Sequence, residues 1–93
     1  MRITTEQQVV IKSIIGQYDP LADVFLFGSR TDDSGKGGDI DILIHSVSIK
    51  WEDKIKMMVA LDTGLDGFPI DLVIKEDMND LFVRCIKKDL IKL

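Results

Sequence analysis

Cysteine is nearly absent: Cys85 stands alone. A lone thiol excludes an intramolecular disulfide and fits a reducing compartment. No apolar run approaches the roughly 20 residues that span a bilayer. The opening stretch MRITTEQQVV lacks the charged-then-apolar layout of a signal peptide, so the chain reads as cytosolic with no membrane role. Repeats, low-complexity tracts and linkers are missing as well. So is an excess of positive charge. A net charge of −4 argues against a partner held by phosphate neutralisation, such as long duplex DNA or RNA. It leaves room for a basic protein partner, or for a nucleotide whose charge is carried by a metal.

The 93 residues, 45% hydrophobic and 30% charged, describe one globular domain over 1–93. A domain this size buries only about two-thirds of its unfolded surface, so it is viable with little to spare. Residues 4–18 read as a helix. Thr5 with Gln8 resembles a capping box, and Val10, Ile11, Ile14, Ile15 and Tyr18 recur at helical spacing. Asp19-Pro20 ends it. DVFLF, 23–27, reads as a short buried strand. Residues 39–45 read as a second strand, with isoleucines on one face and Asp39, Asp41 and Leu43 on the other. Residues 51–62 read as a helix with Trp51, Ile55, Met58 and Leu61 inward, and Gly64 and Gly67 bracket a turn. FPIDLVI, 68–74, reads as a third strand, with Pro69 suggesting an edge or a strand beginning. Asp77 is the expected N-cap of a last helix over 78–91. Its apolar stripe is Met78, Leu81, Phe82, Cys85, Ile86 and Leu90. The order helix, strand, strand, helix, strand, helix predicts an α/β (α+β) fold, a small mixed sheet with helices packed on it.

One segment does not pass as ordinary loop and strand. In FLFGSRTDDSGKGGDIDILIH, Phe25 to His45, glycines stand at 28, 35, 37 and 38, and aspartates alternate with isoleucines at 39 and 41. Burying carboxylates beside Ile40, Ile42 and Ile44 is costly unless something compensates. Asp39 and Asp41 share a strand face. Asp71 interrupts the third strand in the same manner. If that strand lies beside the second, three carboxylates converge, and like charges that close require a cation. Mg²⁺ suits the donor set: a hard ion held by a few carboxylates plus substrate phosphates. Gly28-Ser29 follows the first strand directly, so a glycine turn offers backbone N–H groups to phosphate oxygens. Ser29 adds a hydroxyl donor and Arg30 a charged fork. Together these describe a two-metal phosphoryl or nucleotidyl transfer site.

FGSRTDDSGKGGDIDILI resembles the signature of the DNA polymerase β-like nucleotidyltransferase superfamily. That signature is a hydrophobic residue, Gly-Ser, a spacer of nine or somewhat more residues, then Asp, hydrophobic, Asp, hydrophobic. The spacer here, Arg30 to Gly38, is nine residues. Asp71 in PIDLVI matches the superfamily's third carboxylate. The small size, and Arg30 directly after Gly-Ser, resemble the minimal nucleotidyltransferase (MNT) branch. The resemblance implies a polymerase β palm-like fold. Asp39 and Asp41 would hold two catalytic Mg²⁺ ions, and Asp71 would complete the metal site and help activate the attacking hydroxyl. Gly28, Ser29 and Arg30 would bind the nucleotide, ATP. It also implies a partner: MNT proteins of this branch are often encoded beside helical HEPN-domain toxins, and related members transfer AMP to a tyrosine hydroxyl of the toxin. At 93 residues the sequence has no room for a second domain, so another chain is expected to present the acceptor and exclude water. A homodimer or a heteromer is the expected assembly. The alternative is a non-catalytic antitoxin, or nucleotide-binding module, that masks its partner by contact. Transfer to a small molecule or an RNA end is a third reading, disfavoured by the missing basic surface. Asp32 and Asp33 depart from the family pattern and suit solvent or a basic partner.

Plainer readings stand beside these. Strand aspartates also solvate an edge, cap turns or pair with lysine. Gly-Ser gains meaning only from its spacing to the aspartates. Arg30 reads equally as a surface arginine. His45 is expected to be structural or solvent-facing rather than a ligand. Cys85 reads as a core residue, and Trp51, Met57 and Met58 as core or interface packing. Lys87, Lys88 and Lys92 read as a solvated helix face.

Overall fold

The first helix, α1, spans Thr5–Tyr18 and starts on a capping box. The Gln7 N–H donates to the Thr4 hydroxyl at 3.0 Å, and the Thr4 N–H donates back to Gln7 Oε1 at 2.9 Å. Thr4-Gln7 and Thr5-Gln8 carry the same spacing, and the box forms one residue before the pair expected from the sequence. At the other end the Asp19 N–H closes the last turn onto Ile15 at 3.0 Å, and Pro20 allows no further helical bond.

The computed structural model describes residues 3–28 and 40–93. Within them follow β1 (Asp23–Phe27), β2 (Ile40–His45), α2 (Trp51–Gly64), β3 (Ile70–Lys75), α3 (Leu81–Ile86), a 3-10 turn (Lys87–Asp89) and β4 (Ile91–Lys92). The strands form one mixed sheet in the order β3-β2-β1-β4. β1 runs antiparallel to both neighbours, and β2 and β3 run parallel. A parallel pair needs a crossover, and α2 supplies it. Pro69 precedes β3, which is an edge strand as its position suggested.

Register sorts the side chains into two faces. Leu26, Ile42 and Leu72 lie side by side across β1, β2 and β3, and so do Val24, Ile44 and Ile74. This face is apolar throughout and packs with Ile11 and Ile15 of α1 and Met57 and Leu61 of α2 into the main core. The opposite face carries three rows. Phe27, Asp41 and Asp71 form the first, Phe25, Leu43 and Val73 the second, and Asp23, His45 and Lys75 the third. The apolar middle row, joined by Phe27 of the first, forms a second core with Val83, Met78, Ile86 and Leu90. Acidic and charged rows are left on either side of it.

Two helices depart from expectation. In α2 the inward stripe is Met57 and Leu61, continued by Leu65, while Trp51 is 74% exposed and Ile55 52%. Met58 is exposed as well, so of the four residues expected inward only Leu61 is. Apolar residues occupy both sides of this helix, and the stripe that packs is the one matching the sheet. Gly64 ends the helix itself, and the turn lies beyond it. The last helix is shorter than 78–91. Asp80, not Asp77, is its N-cap, accepting from the Phe82 N–H at 2.9 Å. Asp77 instead receives the Asn79 N–H at 2.8 Å within the preceding turn. Val83 is its buried residue, whereas Leu81 and Cys85 are exposed. After the 3-10 turn the chain extends into β4, and Leu93 donates its N–H to Val24 at 2.9 Å. Helical spacing had carried the expected helix through Leu90, but a strand beside β1 gives Ile91 and Leu93 a place in the main core.

A buried polar link joins the end of α1 to the end of β2. The Ser46 hydroxyl donates to Asp19 Oδ2 at 2.6 Å and accepts the N–H groups of Ser48 and Ile49, each at 3.1 Å. The Leu21 N–H donates to the other carboxylate oxygen at 3.0 Å. Satisfied in this way, the Asp19 carboxylate avoids the penalty of unpaired burial.

Candidate active site

The site is set by the first row of the open face. Asp41 follows Ile40 at the start of β2, and Asp71 follows Ile70 at the start of β3. In a parallel pair, residues equally far along both strands stand side by side, and Asp41 pairs with Asp71 in register. Neighbouring strands lie about 4.8 Å apart, so two carboxylates share one patch of the sheet. Asp71 is exposed and Asp41 half-buried.

On its other side Asp41 pairs with Phe27, the last residue of β1. The next residue, Gly28, has φ +75°, a conformation that glycine adopts without steric penalty. The chain there presses against Asp41. A Cβ at position 28 would collide with Oδ2 of Asp41 and stand 3.1 Å from its Cγ. Gly28 is thus required twice, for its backbone angle and for the clearance it leaves to the carboxylate. The sequence pointed to the phosphate-binding use of this glycine; the clearance depends on cross-strand register and has no local signature.

Asp39, Ser29 and Arg30 lie outside the described residues. Of the six residues singled out in the sequence, the structure therefore places Gly28, Asp41 and Asp71, and it brings them together at one end of the sheet. Among the described residues no group of three or more His, Cys, Asp or Glu side chains is positioned to hold a metal. The pair that is described nonetheless suits a hard divalent cation. Two same-charge oxygen donors in adjacent register repel each other, and oxygen ligands are what Mg²⁺ takes.

A family model described as the nucleotidyltransferase domain matches residues 10–93. The chain belongs to this nucleotidyltransferase family. The match supports the polymerase β-like superfamily read from the Gly-Ser and aspartate spacing, and with it nucleotidyl transfer as the general class of activity. Among curated proteins none matches the chain. The observed sheet with its three α-helices is consistent with the nucleotidyltransferase fold.

The third row belongs to structure rather than to this site. It lies four residues along the strands from the carboxylates, about 13 Å at strand rise. The Nε2–H of His45 donates to the Glu76 carbonyl at 3.1 Å; a carbonyl only accepts, so this nitrogen carries the hydrogen. Nδ1 of His45 stands 3.6 Å from Asp23, and Lys92 approaches the same carboxylate at 3.3 Å. The Lys92 contact, opposed by partial burial and aided by His45, holds the Asp23 carboxyl below its ordinary value. Asp80 is also lowered: burial opposes the shift, but the Phe82 N–H and Lys75 outweigh it. Lys92 is therefore a strand residue paired with Asp23, not part of a helix face. No helix among the described residues is long and apolar enough to cross a membrane.

Proposed function

We propose that this nucleotidyltransferase is a metal-dependent adenylyltransferase that moves AMP from ATP to a hydroxyl, a tyrosine by preference, on a HEPN-type toxin, and so acts as the toxin's antitoxin. The observation that carries the transfer chemistry is the in-register pair Asp41 and Asp71 with Gly28 pressed against Asp41. The HEPN partner and the antitoxin role rest on the resemblance of the Gly28-Ser29-Arg30 segment and its spacing to the MNT branch.

Asp41 and Asp71, with Asp39, would hold Mg²⁺. The ion would neutralise charge on the triphosphate and the developing charge of an in-line displacement. The chain's own residues do the rest. Gly28 leaves Asp41 space to stay aligned, and its N–H together with Ser29 would face phosphate oxygens at the end of β1. Arg30 would add a charge-assisted contact. Asp71, exposed on an edge strand, is open to an acceptor arriving from another molecule, and its carboxylate would accept the hydroxyl proton. The acceptor oxygen bonds to the α-phosphorus of ATP, and pyrophosphate leaves.

Co-expression with the partner toxin, followed by intact-protein mass spectrometry, tests this. AMP-sized increments on the toxin are expected with the wild type and lost with Asp41→Ala/Asp71→Ala while the complex persists. A stable complex with an unmodified toxin would overturn the transfer reading in favour of neutralisation by contact. Metal binding has its own readout: Mg²⁺ should raise the melting temperature of the wild type and leave Asp41→Asn/Asp71→Asn unmoved.

A further inference from the structure

The apolar stripe left on the outside of α2 has no role in the site and none in the core. Trp51, Ile55, Met58 and Val59 are 74%, 52%, 37% and 63% exposed. At helical spacing they share one outer face, next to the stripe of Met57 and Leu61 that is buried in the core. Scattered exposed apolar residues are normal on a protein surface, but a contiguous stripe along a helix marks an interaction surface.

We infer that this face is a self-association surface, on which α2 of a second copy packs antiparallel. The evidence for a second copy is the charge along one edge of the stripe. Glu52 and Lys56 are one turn apart on that edge, both exposed. A two-fold axis that reverses the helix brings the same edge of both copies together. When the copies are registered so that Glu52 meets Lys56, the pair forms twice, once in each direction. Trp51 then lies over Ile55 and Met58 of the second copy. Lys54, the cation nearest the axis, lines the recess that Trp51 and Lys50 share with Ile74 and Glu76 at the end of β3. The reciprocal Glu52–Lys56 contacts thus match the chain to itself. One helix face is smaller than the roughly 800 Å² per partner of a standard interface, so the dimer is a weak one that forms at micromolar concentration.

Trp51 is the single tryptophan, so its emission reports this surface alone. Sedimentation equilibrium and tryptophan fluorescence across a concentration series test the inference on the intact chain. A rise in mass from monomer to dimer with a matching blue shift of emission is expected. Glu52→Lys should weaken association about tenfold through like-charge contact, and Glu52→Lys/Lys56→Glu should restore it. Circular dichroism checks that each variant stays folded, since both positions are exposed. A monomer throughout the series would overturn the inference. So would a dimer whose Trp51 emission stays fixed, or a charge reversal that fails to restore association. Binding of Trp51 to a different protein, with the chain itself monomeric, would also overturn it.

Discussion

At the scale of single residues, Gly28 and Asp41 behave as one unit. Gly28→Ala meets two penalties: a left-handed backbone costs a non-glycine residue about 1–2 kcal/mol, and the new methyl occupies the place of the Asp41 carboxylate. The expected outcome is a folded protein, by circular dichroism, whose nucleotidyl transfer falls as far as that of Asp41→Ala. Asp23 offers a second test at this scale. Its carboxyl is held below the ordinary 3.8, chiefly by Lys92. A depressed value means the folded state favours the ionised form, so the gain is present above the unfolded pKa and disappears as pH falls through the folded one. Asp23→Asn should therefore cost stability at neutral pH, with the gap to the wild type closing below about pH 4. Because the side chain is 42% exposed, solvent screening keeps the gap under about 1 kcal/mol. Urea denaturation at several pH values measures it.

At the scale of elements, the phase of α2 gives a direct comparison. Met57 is fully buried and Met58 lies on the outer stripe. Met57→Ala should cost about 2–5 kcal/mol, while Met58→Ala should stay within about 0.5 kcal/mol in the monomer, measured by thermal or urea unfolding. The sequence alone placed Met58 inward because Trp51, Ile55 and Met58 are as regularly spaced as Met57, Leu61 and Leu65. Periodicity marks an apolar face but does not say which of two faces meets the sheet. β1 was legible to the residue because a four-residue apolar run, Val24 to Phe27, sits between Pro20 and Gly28 and has no competing period. The start of α1 was legible only to within one residue, because Thr4 and Thr5 each stand three before a glutamine. β4 was not legible at all. Two residues carry no period, and Leu90 continues the helical spacing of α3; only a vacant edge of β1 makes the extended form better. The Asp19–Ser46 link was hidden for a related reason. Its partners are common residues, and nothing local says that helix end and strand end meet.

At the scale of the whole molecule, the two faces of the sheet divide the work. One is apolar in every row and carries α1 and α2; the other is apolar in its middle row and at Phe27, which leaves the carboxylate pair Asp41 and Asp71 at one end. The candidate site was legible where its logic is short-range. Alternating aspartates and Gly-Ser spacing announce themselves, and Asp71 joined them on the condition that β3 lies beside β2, which the parallel register satisfies. The sheet also depends on its last strand. Leu93 is buried against the main core and bonded to Val24, so Leu93→Ala should destabilise the fold by about 2–3 kcal/mol, read as a lower urea midpoint with unchanged slope. That dependence reaches into kinetics. β1 leaves the ribosome well before β4, its second neighbour, and Leu26 waits for Ile91. Such long-range pairing raises contact order and slows folding. Until it forms, the edge of β1 is open to any strand that passes, which makes the interval of synthesis, rather than the finished protein, the time of greatest exposure to misassembly.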